Sequence, residues 1–171
     1  MKMQKNLKAQ GGFTLIELIV VIVILGILAA TALPKLTSLG GDARGGTLQA
    51  ASAALKSGVT MANAKFLISP GATISYEGGT VAMDVATGYP TASTALTDLA
   101  GVDSNFTALV GPQSGATVPT LTAKEVAFVP TSIAGTAKAK NCFTKYLEAV
   151  APVAPSIIVT PPVYTTDVSS C

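Results

Sequence analysis

The chain reads as an α+β protein: a long N-terminal helix, transmembrane in its first half, whose second half packs on an antiparallel β-sheet. Three observations predict this. Residues 13–33 are an almost unbroken apolar run, and Leu48 to Phe66 carry apolar side chains at helical spacing. From about residue 70 the texture changes to short β-rich runs punctuated by Gly and Pro. A helix first and several strands afterwards is the α+β order, in which the helix covers one face of the sheet.

Phe13 to Leu33 is 21 residues long. As a helix it would span roughly 31 Å at ~1.5 Å per residue, enough to cross a bilayer core. Its single ionisable side chain is Glu17. A carboxylate in an apolar rod is expensive, so it calls for a partner or a function. The plainer reading of Glu17 is an acid at a helix start, complementing the helix dipole.

Residues 1–12 are short, polar and basic, with Lys2, Lys5 and Lys8 ahead of the apolar run. A secretory signal places its small-residue cleavage site beyond the apolar stretch. Here the small residues, Gly11 and Gly12, precede it, so a cut there would leave the apolar segment on the mature chain. The lysines fit a leader held in the cytoplasm while the body is exported. An uncleaved N-terminal anchor is the alternative.

The residues Gly12-Phe13-Thr14-Leu15-Ile16-Glu17 resemble the processing site of type IV pilins. The likeness covers residues 1 to about 45; Pro34-Lys35 and Asp42-Ala43-Arg44 look most like pilins of the mannose-sensitive haemagglutinin (MSHA) type. The resemblance implies a leader of residues 1–12 ending at Gly12, and cleavage and N-methylation at Phe13 by a prepilin peptidase and methyltransferase. It makes Glu17 the assembly glutamate, and Gly26 and Pro34 the helix-breaking positions. It implies a subunit of a homopolymeric fibre, held in the bacterial inner membrane before assembly and extracellular in the pilus afterwards. Expected partners are the assembly machinery and, as a candidate target, surface glycans. Cleavage would turn the Phe13 amide into an ammonium one helical turn from Glu17, on the same or a neighbouring subunit.

Pro34 removes a backbone donor, and Gly26 weakens the same stretch by about 1 kcal/mol relative to alanine. A kink or a loosened segment is expected between them, unless both are simply tolerated, as Gly and Pro often are in membrane helices. Residues 35–68 form the amphipathic continuation: Leu48, Ala51, Leu55, Val59, Ala62 and Phe66 make one stripe, and Gln49, Lys56, Thr60 and Asn63 lie off it. Gly40-Gly41 and Gly45-Gly46 either permit close approach in a fibre or break the helix.

Residues 69–171 make the β-rich head. Strands are expected at Thr73–Tyr76, Thr80–Val85, Glu125–Val129, Cys142–Leu147 and Ile157–Thr160. Residues 86–122, rich in small and turn-forming residues, are expected as a long connection with one helical turn near Thr94–Ala100. An exported chain meets an oxidising compartment, so Cys142 and Cys171 are expected to pair around 28 intervening residues. In pilins such a disulfide frames the exposed loop that shapes the fibre surface; the alternative is two unpaired buried thiols.

At 171 residues the chain has room for one domain plus an anchor. From Phe13 onward it carries 8 basic and 9 acidic side chains, so its near-neutral body lacks the clustered cations of nucleic-acid binding. Lys138 and Lys140 are too small a patch to change this. The absence of His excludes Ser-His-Asp and Cys-His catalysis and the common zinc sites, so neither an enzyme nor a cofactor is expected. Asp98, Asp103 and Asn105 lack EF-hand spacing for calcium. Asn105-Phe106-Thr107 is a chance-level glycosylation triplet. Tyr76, Tyr89, Tyr146 and Tyr164 fit half-buried packing better than a sugar platform. The main rival to a pilus subunit is a pseudopilin of a type II secretion system, which more often lacks the C-terminal disulfide. A glycan-binding module is a further alternative.

Overall fold

A computed structural model describes residues 13–102 and 104–171, apart from the side chains of Pro34, Leu36, Thr37 and Ser38. Helix α1 runs Leu15–Ile68. The chain divides into two compact units, Met1–Leu39 and Gly40–Cys171, so the division falls within α1.

In the first unit, Leu15–Leu33 has a mean hydropathy of 2.8 and none of it is buried. It is long and apolar enough to cross a membrane. Its one hydroxyl, Thr31 Oγ1, donates to the Leu28 carbonyl at 3.0 Å, so the helix satisfies its own polar side chain.

In the second unit the apolar stripe is buried from Leu48 to Phe66, while Gln49, Lys56 and Thr60 stay exposed. The helix is not broken at Gly40-Gly41 or Gly45-Gly46. Each glycine costs about 1 kcal/mol relative to alanine in a helix, and tertiary packing overrides that weak preference. A Cβ on Gly41 would lie 3.1 Å from the carbonyl carbon of Cys171, and one on Gly45 would lie 3.6 Å from Cβ of Val168. These two glycines let the chain's own last residues approach the helix closely.

Two antiparallel sheets complete the unit. The first has order β1-β2-β3, with β1 at Thr73–Tyr76, β2 at Gly79–Asp84 and β3 at Tyr89–Pro90. Strands β1 and β2 form a hairpin in which Tyr76 pairs with Gly79; Gly78 sits in the turn at φ 112°, where a side chain would be strained. A short helix α2, Ala95–Leu99, follows β3. The second sheet has order β4-β5-β6-β7, with β4 at Phe106–Val110, β5 at Glu125–Pro130, β6 at Phe143–Leu147 and β7 at Val163–Asp167. The strand β5 is buried along its whole length between β4 and β6. One core joins Leu48, Leu55 and Val59 of α1 to Val81 of β2, Val126 and Phe128 of β5, and Tyr146 of β6.

Three sequence expectations are corrected here. Ile157–Thr160 is not a strand; only Thr160 forms an isolated bridge, with Val150. The final strand is instead Val163–Asp167, paired to β6 from Leu147↔Val163 to Phe143↔Asp167. The long connection 86–122 holds β3 and β4 as well as the helical turn α2, plus a bridge between Gln113 and Leu121.

Candidate functional site

Phe13 is 95% exposed at the head of the apolar helix, and Gly12 lies outside the described residues. The helix opens on Thr14-Leu15-Ile16-Glu17, the spacing of a capping box. Glu17 Oε2 accepts from the Thr14 amide at 2.9 Å and from Thr14 Oγ1 at 2.7 Å. The Glu17 amide in turn donates to Thr14 Oγ1 at 3.3 Å. Two backbone donors that a helix start leaves open are thus satisfied by the side chains of Thr14 and Glu17. Thr14 was not singled out from sequence, although the Thr-x-x-Glu spacing carries that signal.

Both acceptor bonds fall on Oε2. The second oxygen, Oε1, makes no hydrogen bond among the described residues, and an ionised carboxylate can accept several. The cap therefore orients Glu17 while leaving it an open acceptor.

Gly26 has open space around its Cα, and Pro34 supplies no N–H to the Ala30 carbonyl four residues back. The helical assignment runs through both.

Cys142 and Cys171 are joined by a disulfide with Cα atoms 4.9 Å apart, and Cys142 is fully buried. The end of the loop is also fastened to α1 within the second unit. Arg44 Nε donates to the Cys171 carbonyl at 2.8 Å, and the Ser170 amide donates to Asn141 at 3.1 Å. The disulfide, the arginine and the two glycines act on one short segment.

Elsewhere in the second unit several polar groups tie elements of the fold together. The Tyr146 hydroxyl donates to the Pro90 carbonyl at 2.6 Å, tying the two sheets together, and its ring meets Tyr164 edge-on at 5.6 Å. Burial pushes both phenols up, Tyr164 to about 12. Burial and, behind it, Asp98 raise Tyr76, whose hydroxyl donates to Ala95 at 3.3 Å. Glu125 is nine-tenths buried and pairs with Lys145 at 2.8 Å. Burial pushes its carboxyl up, but the bonds from Lys145 and the Thr122 amide outweigh that and hold it below the usual carboxylate range. Among the described residues, no three acidic or cysteine side chains gather as a metal site. Asp103 lies outside those residues, and Asp98 is exposed.

The family model for the prokaryotic N-terminal methylation motif matches residues 7–33, which covers Lys8, Gly12-Phe13, the Thr14–Glu17 capping box and the whole apolar run to Leu33. This motif indicates a type IV pilin or pseudopilin. No curated protein and no solved structure matches the chain. The motif indicates a structural subunit and implies processing by a prepilin peptidase before assembly. The motif and the exposed apolar helix fit anchoring in the membrane before assembly and residence in the pilus after it. The architecture, a long helix with antiparallel sheets, is that of a pilin-like fold.

Proposed function

We propose that this pilin-like chain is the structural subunit of an MSHA-type type IV pilus, polymerising through its N-terminal helix into a surface fibre for attachment and biofilm formation. The leader ends at Gly12, and Phe13 becomes the methylated N-terminal residue. Glu17 is the assembly residue, and Gly26 and Pro34 are the positions where the rod yields as it passes from lipid to fibre core. The disulfide-framed loop between Cys142 and Cys171 favours a pilus over a pseudopilin.

The single observation that carries this reading is the Glu17 carboxylate, held in a capping box at the head of a membrane-length helix with Oε1 left open. Before cleavage the Phe13 nitrogen is an uncharged amide; afterwards it is an ammonium. In an apolar medium a carboxylate and an ammonium attract strongly, and either alone is costly to bury. An ammonium from a neighbouring subunit on Oε1 would fix the axial stagger between helices.

Capping and charge pairing are separable. Glu17→Gln retains a carbonyl oxygen for the Thr14 bonds but loses the charge, whereas Glu17→Val loses both. The expected outcome is that both variants are cleaved and membrane-inserted, and that both fail to build fibres in electron micrographs. Normal fibres from Glu17→Gln would leave only the cap and end the charge-pair account. The intact mass of the mature chain should correspond to a start at methylated Phe13. In cells lacking the chain, surface filaments should vanish while protein export continues; the reverse result would make it a pseudopilin.

A further inference from the structure

The start of β4 carries a motif that fibre assembly does not use. Asn105-Phe106-Thr107 has the Asn-x-Ser/Thr pattern of an N-glycosylation acceptor, and none of the other asparagines, Asn6, Asn63 and Asn141, is followed by Ser or Thr two places on. As a pattern alone it occurs at chance level; what supports such a triplet is an exposed turn on an exported chain. Asn105 occupies that setting. It is exposed in a turn that its own amide closes by donating to the Val102 carbonyl at 3.3 Å. Its carbonyl accepts from the Thr131 amide at 3.0 Å, so the backbone is fixed on both sides. The side-chain amide, in contrast, has no hydrogen-bond partner among the described residues. Asn63 shows the opposite case: its side-chain amide donates to the Gly88 carbonyl at 2.7 Å and is engaged in holding the fold.

The rest of the triplet fits the same use. Phe106 is 8% exposed and belongs to the core, and the alternation of a strand turns Thr107 to the opposite face. The Asn105 amide and the Thr107 hydroxyl therefore both lie outside the core. A recess of about 390 Å³ is lined by Asn105 together with Arg44, Thr47, Thr131 and Ser132. It leaves room for a sugar ring beside the amide, and hydroxyls are groups that can hydrogen-bond a polyhydroxylated ligand. We propose that Asn105 is an N-glycosylation site, modified on the exported side of the membrane by an oligosaccharyltransferase that uses a polyprenyl-pyrophosphate-linked oligosaccharide. In the transfer, Nδ2 of Asn105 bonds to C1 of the first sugar, and the bond from C1 to the pyrophosphate oxygen breaks. The polyprenyl pyrophosphate leaves with the electron pair, and the amide nitrogen gives one proton to a base of the transferase. An amide lone pair is delocalised and weakly nucleophilic, so the enzyme must grip its acceptor; the Thr107 hydroxyl is the handle. Strand β4 is an edge of the four-stranded sheet, and a bulky hydrated group at its start hinders pairing between the edges of two heads.

The inference needs an exported head and nothing of the fibre, so it stands or falls apart from the MSHA-type reading. The full chain is purified from its host, from fibres or from the membrane fraction, and measured by intact mass and by tandem mass spectrometry of its peptides. The expected mass exceeds that of the polypeptide beginning at methylated Phe13 by one oligosaccharide, and fragmentation releases sugar ions from the peptide holding Asn105. Asn105→Gln and Thr107→Ala should both lose that increment, whereas Thr107→Ser, which keeps the hydroxyl, should retain it. Asn105→Gln alters an exposed side chain, so its export and its disulfide should match wild type and separate loss of the glycan from misfolding. An unmodified Asn105 in the wild-type chain would overturn the proposal, as would a glycan carried on Ser or Thr instead, or one that persists in Thr107→Ala. The N-terminal peptide is read in the same digest, so failure at Asn105 leaves cleavage and methylation at Phe13 to be judged by themselves.

Discussion

Between Leu15 and Leu33, α1 exposes every large apolar side chain, from Ile19 at 46% to Leu15 at 74%, whereas Leu48 and Leu55 of the same helix are 0% exposed. The first stretch is apolar all round and the second only along one stripe, with Gln49, Lys56 and Thr60 off it. A helix that is apolar on every side needs an apolar surrounding, either lipid or other helices. One with a single apolar stripe needs only a sheet to lie against. The two halves are thus written for different solvents, and each should respond to its own class of perturbation.

The largest effect expected confines itself to the second half and the head it carries. Cys142→Ser with Cys171→Ser, or reduction, should destabilise the head by about 3–4 kcal/mol through release of the closed loop. Denaturant unfolding of the detergent-solubilised chain, followed by tyrosine fluorescence, measures this. Membrane insertion should be unchanged. If the apolar segment were also lost from the membrane fraction, the two regions would not be separable.

The next effect sharpens the comparison within the helix itself. Leu55→Ala should cost about 3 kcal/mol of head stability, because it removes a fully buried side chain and leaves a cavity. Leu25→Ala, on the exposed stretch, should change head stability by less than about 0.5 kcal/mol. Matched unfolding curves for the two variants are the measurement. Equal losses would mean that the first half also contributes to the core of the head.

The contrast also marks where sequence patterns were enough. The stripe Leu48–Phe66 was legible because period alone places it, and all six of its residues are buried. Strands β1, β2, β5 and β6 were legible from β-branched and aromatic runs between turn signals. Ile157–Thr160 has the same propensity but no strand, because Pro155, Pro161 and Pro162 remove donors on either side and no neighbour runs beside it. Conversely, Val163–Asp167 is a mostly exposed edge strand of Tyr and Thr, so its weak apolar signal does not announce it. Phe106–Val110 was hidden in a stretch dominated by small and turn-forming residues. The Gly41 and Gly45 contacts with Cys171 and Val168 join positions far apart in the chain, and no local pattern encodes them. At the candidate site, the Gly12-Phe13 and Glu17 pattern was legible because its spacing is local; the capping role of Thr14 was written in the same spacing.

The smallest effect tests whether charge matters differently in the two regions. Glu17 stands at the start of an apolar helix, while Glu125 sits in β5 against Lys145 at 2.8 Å. With its carboxyl held below the usual range, Glu125 contributes stability that is present above the unfolded-state value of about 4.3. That contribution is lost as pH falls below about 4.3 and through the folded-state value. The pair keeps contact with water through Lys145, so the contribution should stay under about 1 kcal/mol. Unfolding of wild type and Glu125→Gln at a series of pH values should show the variant weaker at neutral pH and the gap narrowing in acid. A gap that stays constant down to acid pH would assign the cost of the substitution to packing, and would show that the Glu125 charge, unlike that proposed for Glu17, does not matter to the fold.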